Sequence, residues 1–250
     1  MSKQHEGMSR RELRRENRRR AGQRNRLITI GVVVLVAALA AFVLIYPNLR
    51  PVGDIVTPEP FERPQAQAHT LGDPNAPIKI EEFADFQCPF CRRFYEDTER
   101  ELIETYVATG KVYFVFRSFG EFIGAESRAA AEAAYCAGDQ DKFWEMYDYI
   151  FANQTGENVG AYTHRRLVAF AETIGLEMDE FRSCFNGGKY SDQVDQDFLD
   201  GRTAGVTATP SFLMTYTVNG ETKSSLIQGA QPFSEFQTQI EAALAEMGVE

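Results

Sequence analysis

The chain has 250 residues, 26 Lys or Arg against 36 Asp or Glu, a formal net charge of −10 and 44% hydrophobic residues. That length and apolar content suit one globular domain with a sizeable core. The acidic balance argues against a nucleic-acid partner, because a phosphate backbone is met by a basic surface.

The charge is unevenly placed. Residues 1–26 carry ten basic side chains (Lys3 and nine Arg from Arg10 to Arg26) and three Glu, a net of +7, whereas the chain from residue 47 onward holds sixteen basic and thirty-three acidic residues, a net of −17. Between them, 27–46 is uncharged and apolar, the ~20 residues that a helix needs to cross a bilayer. The positive-inside rule puts the basic tail in the cytoplasm and everything after residue 46 outside. Ala38-Leu39-Ala40 resembles the small-residue cleavage site of a signal peptide. The basic region is long, however, and the apolar run continues through Phe42 and Tyr46 beyond the ~7–15 residues of a signal core, so the reading is an uncleaved anchor. Topology accounts for the Arg-rich tail without nucleic acid.

Pro47, Pro51, Pro58, Pro60 and Pro64 punctuate the next stretch. Residues 47–70 therefore read as a semi-extended linker that holds the domain off the bilayer. The turn cluster from Gly72 to Pro77 announces a folded domain over 71–250. Alternation predicts a strand over 78–83. Helical spacing of Phe90, Phe94, Leu102, Ile103, Tyr106 and Val107 predicts one helix over 89–108, stopped by Gly110. A strand follows at 111–116. Five helical stretches, 126–137, 141–153, 162–174, 178–185 and 190–201, make too much helix for a crossover and read as an inserted subdomain spanning about 120–204. Strands at 211–218 and 223–228 flank Asn219-Gly220, a strong hairpin signal, and a last helix over 232–247 buries Phe233, Phe236, Ile240, Leu244 and Met247. Strand-helix-strand, insertion, hairpin, helix is the order of an α/β thioredoxin fold with an inserted helical subdomain, here preceded by one N-terminal transmembrane helix.

The chemistry centres on Cys88-Pro89-Phe90-Cys91, at the point where strand turns into helix. Cys88 is placed at the helix N-cap or first turn, with Pro89 where a missing N–H costs nothing. Free N–H groups and the helix dipole favour a Cys88 thiolate, the attacking and attacked sulfur, with Cys91 as the more buried resolving thiol. The same spacing binds zinc, but Cys136, Cys184, His5, His69 and His164 show no second pair at ligand spacing, so the reading is redox, with no metal and no cofactor. In an oxidising compartment four cysteines suggest two disulfides. Cys88 with Cys91 leaves Cys136 with Cys184 as a structural staple; a second redox relay is the alternative.

Three motifs, residues 83–91 (Phe-Ala-Asp-Phe-Gln-Cys-Pro-Phe-Cys), Ala133-Ala134-Tyr135-Cys136-Ala137 followed by Lys142-Phe143-Trp144, and 205–212 (Gly-Val-Thr-Ala-Thr-Pro-Ser-Phe), resemble the membrane-anchored DsbA-like branch of the thioredoxin superfamily over about 70–247. The resemblance implies a thiol-disulfide oxidoreductase acting on exported proteins. It maps the redox pair onto Cys88 and Cys91 and a substrate-facing cis-proline onto Pro210, leaving the Thr209 N–H and C=O free to pair with an extended substrate. Pro89, Phe90, Thr209 and Pro210 are the expected substrate contacts. Glu82 matches an acidic position near the buried cysteine, which implies a proton acceptor for Cys91; alternation puts it on the face of Ile78 and Ile80, half-buried, with a plain exposed carboxylate as the alternative and Glu81 facing away. Phe86, Phe90 and Phe212 either surround the sulfur or belong to the core, and Trp144 reads as core. Strongly oxidising relatives have His where this chain has Phe90, which implies a milder oxidant. The expected partners are unfolded or partly folded exported proteins with free thiols and a membrane reoxidant of the DsbB or vitamin K epoxide reductase type. A reductase or isomerase, and a non-catalytic peptide-binding module, are the alternatives.

Overall fold

The structure, a computed structural model, describes residues 10–49, 52–120 and 122–249; Lys3 and His5 of the basic tail and Pro51 of the linker lie outside them. The chain forms two units, Met1–Pro51 and Val52–Glu250.

In the first unit, one helix, α1 (Arg10–Leu49), carries the arginines and the apolar run on a single rod of 40 residues. Its Arg14–Val43 portion is long and apolar enough to cross a membrane, a test that a signal sequence also passes. Large apolar side chains from Leu27 (69% exposed) to Val43 (67%) lie open, and a helix can do this in hydrocarbon because its backbone groups are satisfied internally. α1 continues to Leu49, so the first residues read as linker are helical.

The second unit has the thioredoxin fold. Its strands are β1 (Thr70–Leu71), β2 (Ile78–Ala84), β3 (Val112–Ser118), β4 (Ser211–Val218) and β5 (Glu221–Gln228), ordered β1-β3-β2-β4-β5. Only β2 and β3 are parallel. The β4–β5 turn falls on Asn219 and Gly220, both at positive φ (52° and 84°), the backbone that a two-residue type I′ hairpin demands. Between β2 and β3 the chain forms α2 (Pro89–Asp97), α3 (Glu99–Leu102) and a π-helical turn, Ile103–Val107. The single helix expected over 89–108 is thus broken at Thr98, which is buried and turns its hydroxyl to the Gln231 carbonyl at 3.0 Å. The helical insertion comprises α4 (Ala125–Gly138), α5 (Phe143–Ala152), α6 (His164–Thr173), α7 (Met178–Asn186) and α8 (Ser191–Thr203), and α9 (Phe233–Met247) closes the chain. Phe94, Phe212 and Phe236 pack α2, β4 and α9 together at 4.5–5.6 Å between ring centroids.

The proline-rich stretch is not a free spacer. Val56 exchanges two 2.8 Å hydrogen bonds with the Asn153 side chain, Arg166 donates to the Val52 carbonyl at 2.5 Å, and the Arg63 side chain is only 3% exposed. Prolines hold this backbone extended, and side chains of the helical insertion satisfy its polar groups. β1, read from the sequence as the end of the linker, pairs Thr70 with Val115.

Cys136 of α4 and Cys184 of α7 form a disulfide across 48 residues of chain. In the chain-entropy view a loop of this size contributes roughly 4 kcal/mol. Replacing both by Ala should lower urea-unfolding stability by a few kcal/mol under non-reducing conditions while leaving the Cys88 thiol chemistry in place; equal unfolding midpoints would contradict this.

Candidate active site

β2 ends at Ala84, and four residues later Cys88 caps α2 with extended backbone (φ −70°, ψ 121°) and Pro89 as the first helical residue. The intervening loop is held by Asp85. Its carboxylate accepts from Gln87 N at 2.8 Å and Ile123 N at 3.2 Å, and its carbonyl accepts from Cys88 N at 2.9 Å. Gln154 donates to the carbonyls of Phe86 (2.8 Å) and Cys88 (3.1 Å). The Gln87 side chain donates to Ser127 at 2.9 Å and accepts from Asn158 N at 2.6 Å. The insertion therefore supplies most of the groups that fix the loop. Sequence reading missed Asp85, Gln87 and Gln154, and an acidic residue three positions before a helix-capping Cys was the available signal for the first.

Both thiols are free, Cys88 5% exposed and Cys91 fully buried. The Cys88 thiol donates to the Thr209 carbonyl at 3.3 Å, and Cys91 Sγ accepts from Asp85 N at 3.5 Å. Cys88 is brought down to about 6, chiefly because the Cys91 thiol hydrogen-bonds to its sulfur; burial opposes this, and the Thr209 side chain and the N–H groups of Cys91 and Phe90 add to it. Cys91 is pushed well above an ordinary thiol, first by burial, then by its role as donor to Cys88 and by the nearby charges of Cys88 and Glu82. The neighbouring thiol, more than the helix terminus expected from the sequence, makes Cys88 the thiolate.

The Thr209–Pro210 bond is cis and both residues are buried beside the sulfur. The Thr209 carbonyl is not free in this dithiol state, since Cys88 occupies it. Pro89 and Phe90 are exposed, Phe90 at 52% with the Arg93 guanidinium 5.1 Å from its ring centroid, while Phe86 and Phe212 belong to the core. Trp144 is core, 4% exposed.

Glu82 is fully buried rather than half-buried. Paired in the sheet with Phe116 and Phe212, it has no hydrogen-bond partner at either carboxylate oxygen. Burial, and then the charge of Glu99, push it well above the usual carboxylate range, partly relieved by Arg63. Glu81 points to the opposite side and pairs with Lys79 and Arg117. A cleft of about 590 Å³ lies away from Cys88, lined by Phe61, Arg63, Trp144, Asp148 and Tyr149 among others. Among the described residues no three His, Cys, Asp or Glu side chains gather as a metal site requires.

The family model described as Thioredoxin matches residues 65–242. A probable disulfide bond formation protein D of Bacillus anthracis is 30% identical over 193 residues, covering 75% of this chain and 87% of that one. BdbD of Bacillus subtilis, in its oxidised form, superposes with a TM-score of 0.62 at 23% identity over 77% of this chain and all of that one, a likeness of fold. The Na(+)/H(+) antiporter NhaA 1 of Salinispora arenicola is 31% identical over 147 residues, and the chain spans only about a fifth (21%) of its length. With the Thioredoxin family model matching 65–242, a 30% identical relative covered to 87%, and a Cys88-Pro89-Phe90-Cys91 pair beside a cis-proline, the chain belongs to the thioredoxin superfamily as a DsbA-like member.

Proposed function

We propose that the chain is a membrane-anchored, extracytoplasmic thiol-disulfide oxidoreductase that introduces disulfides into exported proteins. The observation that carries this reading is the contrast between Cys88, lowered to about 6, and Cys91, buried and raised. A stabilised Cys88 thiolate favours the dithiol form, so the Cys88–Cys91 disulfide is the form that gives up its oxidising equivalents. A Cys88 thiol lowered below the ordinary range is in keeping with a disulfide that acts as an oxidant. A substrate thiolate attacks Cys88 Sγ, the Cys88–Cys91 bond breaks with its electron pair moving to Cys91, and a second substrate thiol resolves the mixed disulfide. Exposed Pro89 and Phe90 offer an apolar contact to unfolded chains, and Thr209 and Pro210 offer backbone. The α1 span and the net charge of +7 before it support an anchor with its basic end in the cytoplasm. A membrane reoxidant of the DsbB or vitamin K epoxide reductase type would regenerate the disulfide. Thiol trapping in intact cells is the direct test: a pair held mostly as disulfide fits an oxidase, and a pair held mostly as dithiol fits a reductase or isomerase.

Cys88→Ser should abolish exchange, whereas Cys91→Ser should accumulate mixed disulfides through Cys88 because the resolving thiol is gone. Non-reducing gels of trapped complexes read this out, and complexes captured by the Cys88 variant alone would reverse the two roles.

Alkylation of the reduced protein should rise through an ionisation near pH 6, because Cys88 is lowered to about that value. The folded pKa lies below the unfolded ~8.5, so the stabilisation of the reduced fold is fully present above ~8.5 and is lost as pH falls through about 6. A rate that rises only near pH 8.5 would remove the basis of the proposal.

Phe90→His should raise the reduction potential, since an imidazole beside Cys88 stabilises the thiolate and hence the dithiol. Each further unit of pKa depression corresponds to about 30 mV for this two-electron couple. Equilibration with glutathione measures it; an unchanged potential would mean that the Cys91 thiol and the surrounding backbone, not residue 90, set the poise.

A further inference from the structure

A single side chain braces the wall beside the reactive sulfur. Phe90, between the two cysteines, is 52% exposed, and the guanidinium of Arg93, three positions on and so on the same face of α2, lies over its ring at 5.1 Å from the centroid. Arg93 Nη2 also donates to the Ala230 carbonyl at 3.2 Å. Ala230 follows Gly229, whose N–H donates to the Pro210 carbonyl at 2.8 Å. The carbonyl of Thr209, across the cis bond from Pro210, receives the Cys88 thiol at 3.3 Å. Cys88, the cis-proline, the turn after β5, Arg93 and Phe90 thus form a closed circuit. The turn is a firm anchor for it, since Gln231 N donates to the Gly229 carbonyl at 2.8 Å and the Gln231 carbonyl accepts the Thr98 hydroxyl at 3.0 Å.

The partners of Arg93 are not the ones its helix offers. Asp97 lies four positions on, a spacing at which ion pairs form along a helix surface, and neighbouring Arg92 makes such a pair with Glu96. Among the described residues Arg93 makes no ion pair; its guanidinium is directed at a ring and a backbone carbonyl, both in the wall beside Cys88. A planar guanidinium suits both, because it stacks and donates in its own plane.

We propose that Arg93 is a positioning residue for substrate recognition: it braces the Phe90 ring against the turn after β5, so that the ring receives a large apolar side chain adjoining the substrate's reacting cysteine. The proposal rests on the exchange chemistry proposed above and concerns the encounter that precedes any bond change. An unbraced Phe90 in the exposed first turn of α2 would move among rotamers, and ordering it at each encounter would cost affinity. Arg93 supplies that order in advance. The favoured substrates are extended segments with Leu, Phe or a similar side chain beside the cysteine, over segments with Ser or Gly there.

The test uses the full chain in detergent micelles, in its disulfide form, with two synthetic peptides that differ only in carrying Leu or Ser on both sides of a single cysteine. Each rate is divided by that of the same variant with β-mercaptoethanol, so that changes in sulfur chemistry cancel. The wild-type chain should reach half of its limiting rate at a lower concentration of the Leu peptide than of the Ser peptide. Arg93→Met should shrink this preference about two- to fivefold, the scale of one exposed cation–π contact, through the half-saturating concentration and not the limiting rate. Arg93→Lys should keep part of it. Phe90→Ser should remove it, and Arg93→Met added to Phe90→Ser should change it no further, because residues that act through one another are not additive. A purely structural Arg93 would lower the melting temperature and leave the preference intact, which overturns the proposal. Additive losses in the double variant, or a wild-type chain without the preference, overturn it as well. If Arg93→Met does not fold, Arg93→Gln decides by the same readout. Absence of Cys88-dependent exchange with either peptide would instead defeat the oxidoreductase reading itself.

Discussion

The junction between β2 and α2 is held by Asp85, and the two sulfurs take their roles from where it puts them. Its backbone N–H reaches Cys91 Sγ, its carbonyl receives Cys88 N, and its carboxylate ties Gln87 to Ile123 at the entry to the helical insertion. With this anchor in place, the first turn of α2 leaves Cys88 at the rim against Thr209 and carries Cys91 under it, toward Glu82. Two chemically identical side chains three positions apart are then shifted in opposite directions, because one is hydrogen-bonded by the other and the other is sealed from water. The helical insertion makes this possible: Gln154, Ser127, Asn158 and Ile123 all belong to it, and all bear on the loop.

A buried carboxylate without hydrogen bonds is a costly thing for a core to contain. Phe116 and Phe212 flank Glu82 in the sheet, where an apolar residue of similar size would pack well. The same core surrounds Arg63 with two acidic partners and three aromatic faces. Removing one partner of such a buried set is generally more damaging than never having had it. The fold keeps its expensive polar groups Arg63, Glu99 and Asp148 together.

Features governed by local pattern were legible in the sequence. Alternation marked β2, Asn219-Gly220 marked the β4–β5 hairpin, and the five helices of the insertion followed from their apolar spacing, with differences of a few residues at their ends. The cysteine pair and Thr209-Pro210 carried their own motifs. What was hidden depends on partners far away in the chain. The break falls at Thr98, whose φ of −128° departs from helix and whose hydroxyl meets the Gln231 carbonyl, 133 residues on. Pro58, Pro60 and Pro64 read as spacer because nothing nearby discloses that Arg63 meets Glu99 and Asp148, 36 and 85 positions later. Glu82 was placed on the correct face by alternation, but the depth of its burial comes from α2, α3 and α5 closing over the sheet.

Trp144 is the single tryptophan of the chain. Its indole N–H donates to the Thr70 carbonyl at 3.3 Å, its ring lies 5.0 Å from the Arg63 guanidinium, and Tyr147 packs against it at 5.1 Å between ring centroids. Emission excited selectively at tryptophan therefore originates at one point, next to the Arg63, Glu99 and Asp148 charges. A rearrangement of protons there alters the electric field across the indole, and with it the wavelength and intensity of emission. The protein contains its own optical probe of this charged core, readable without a label.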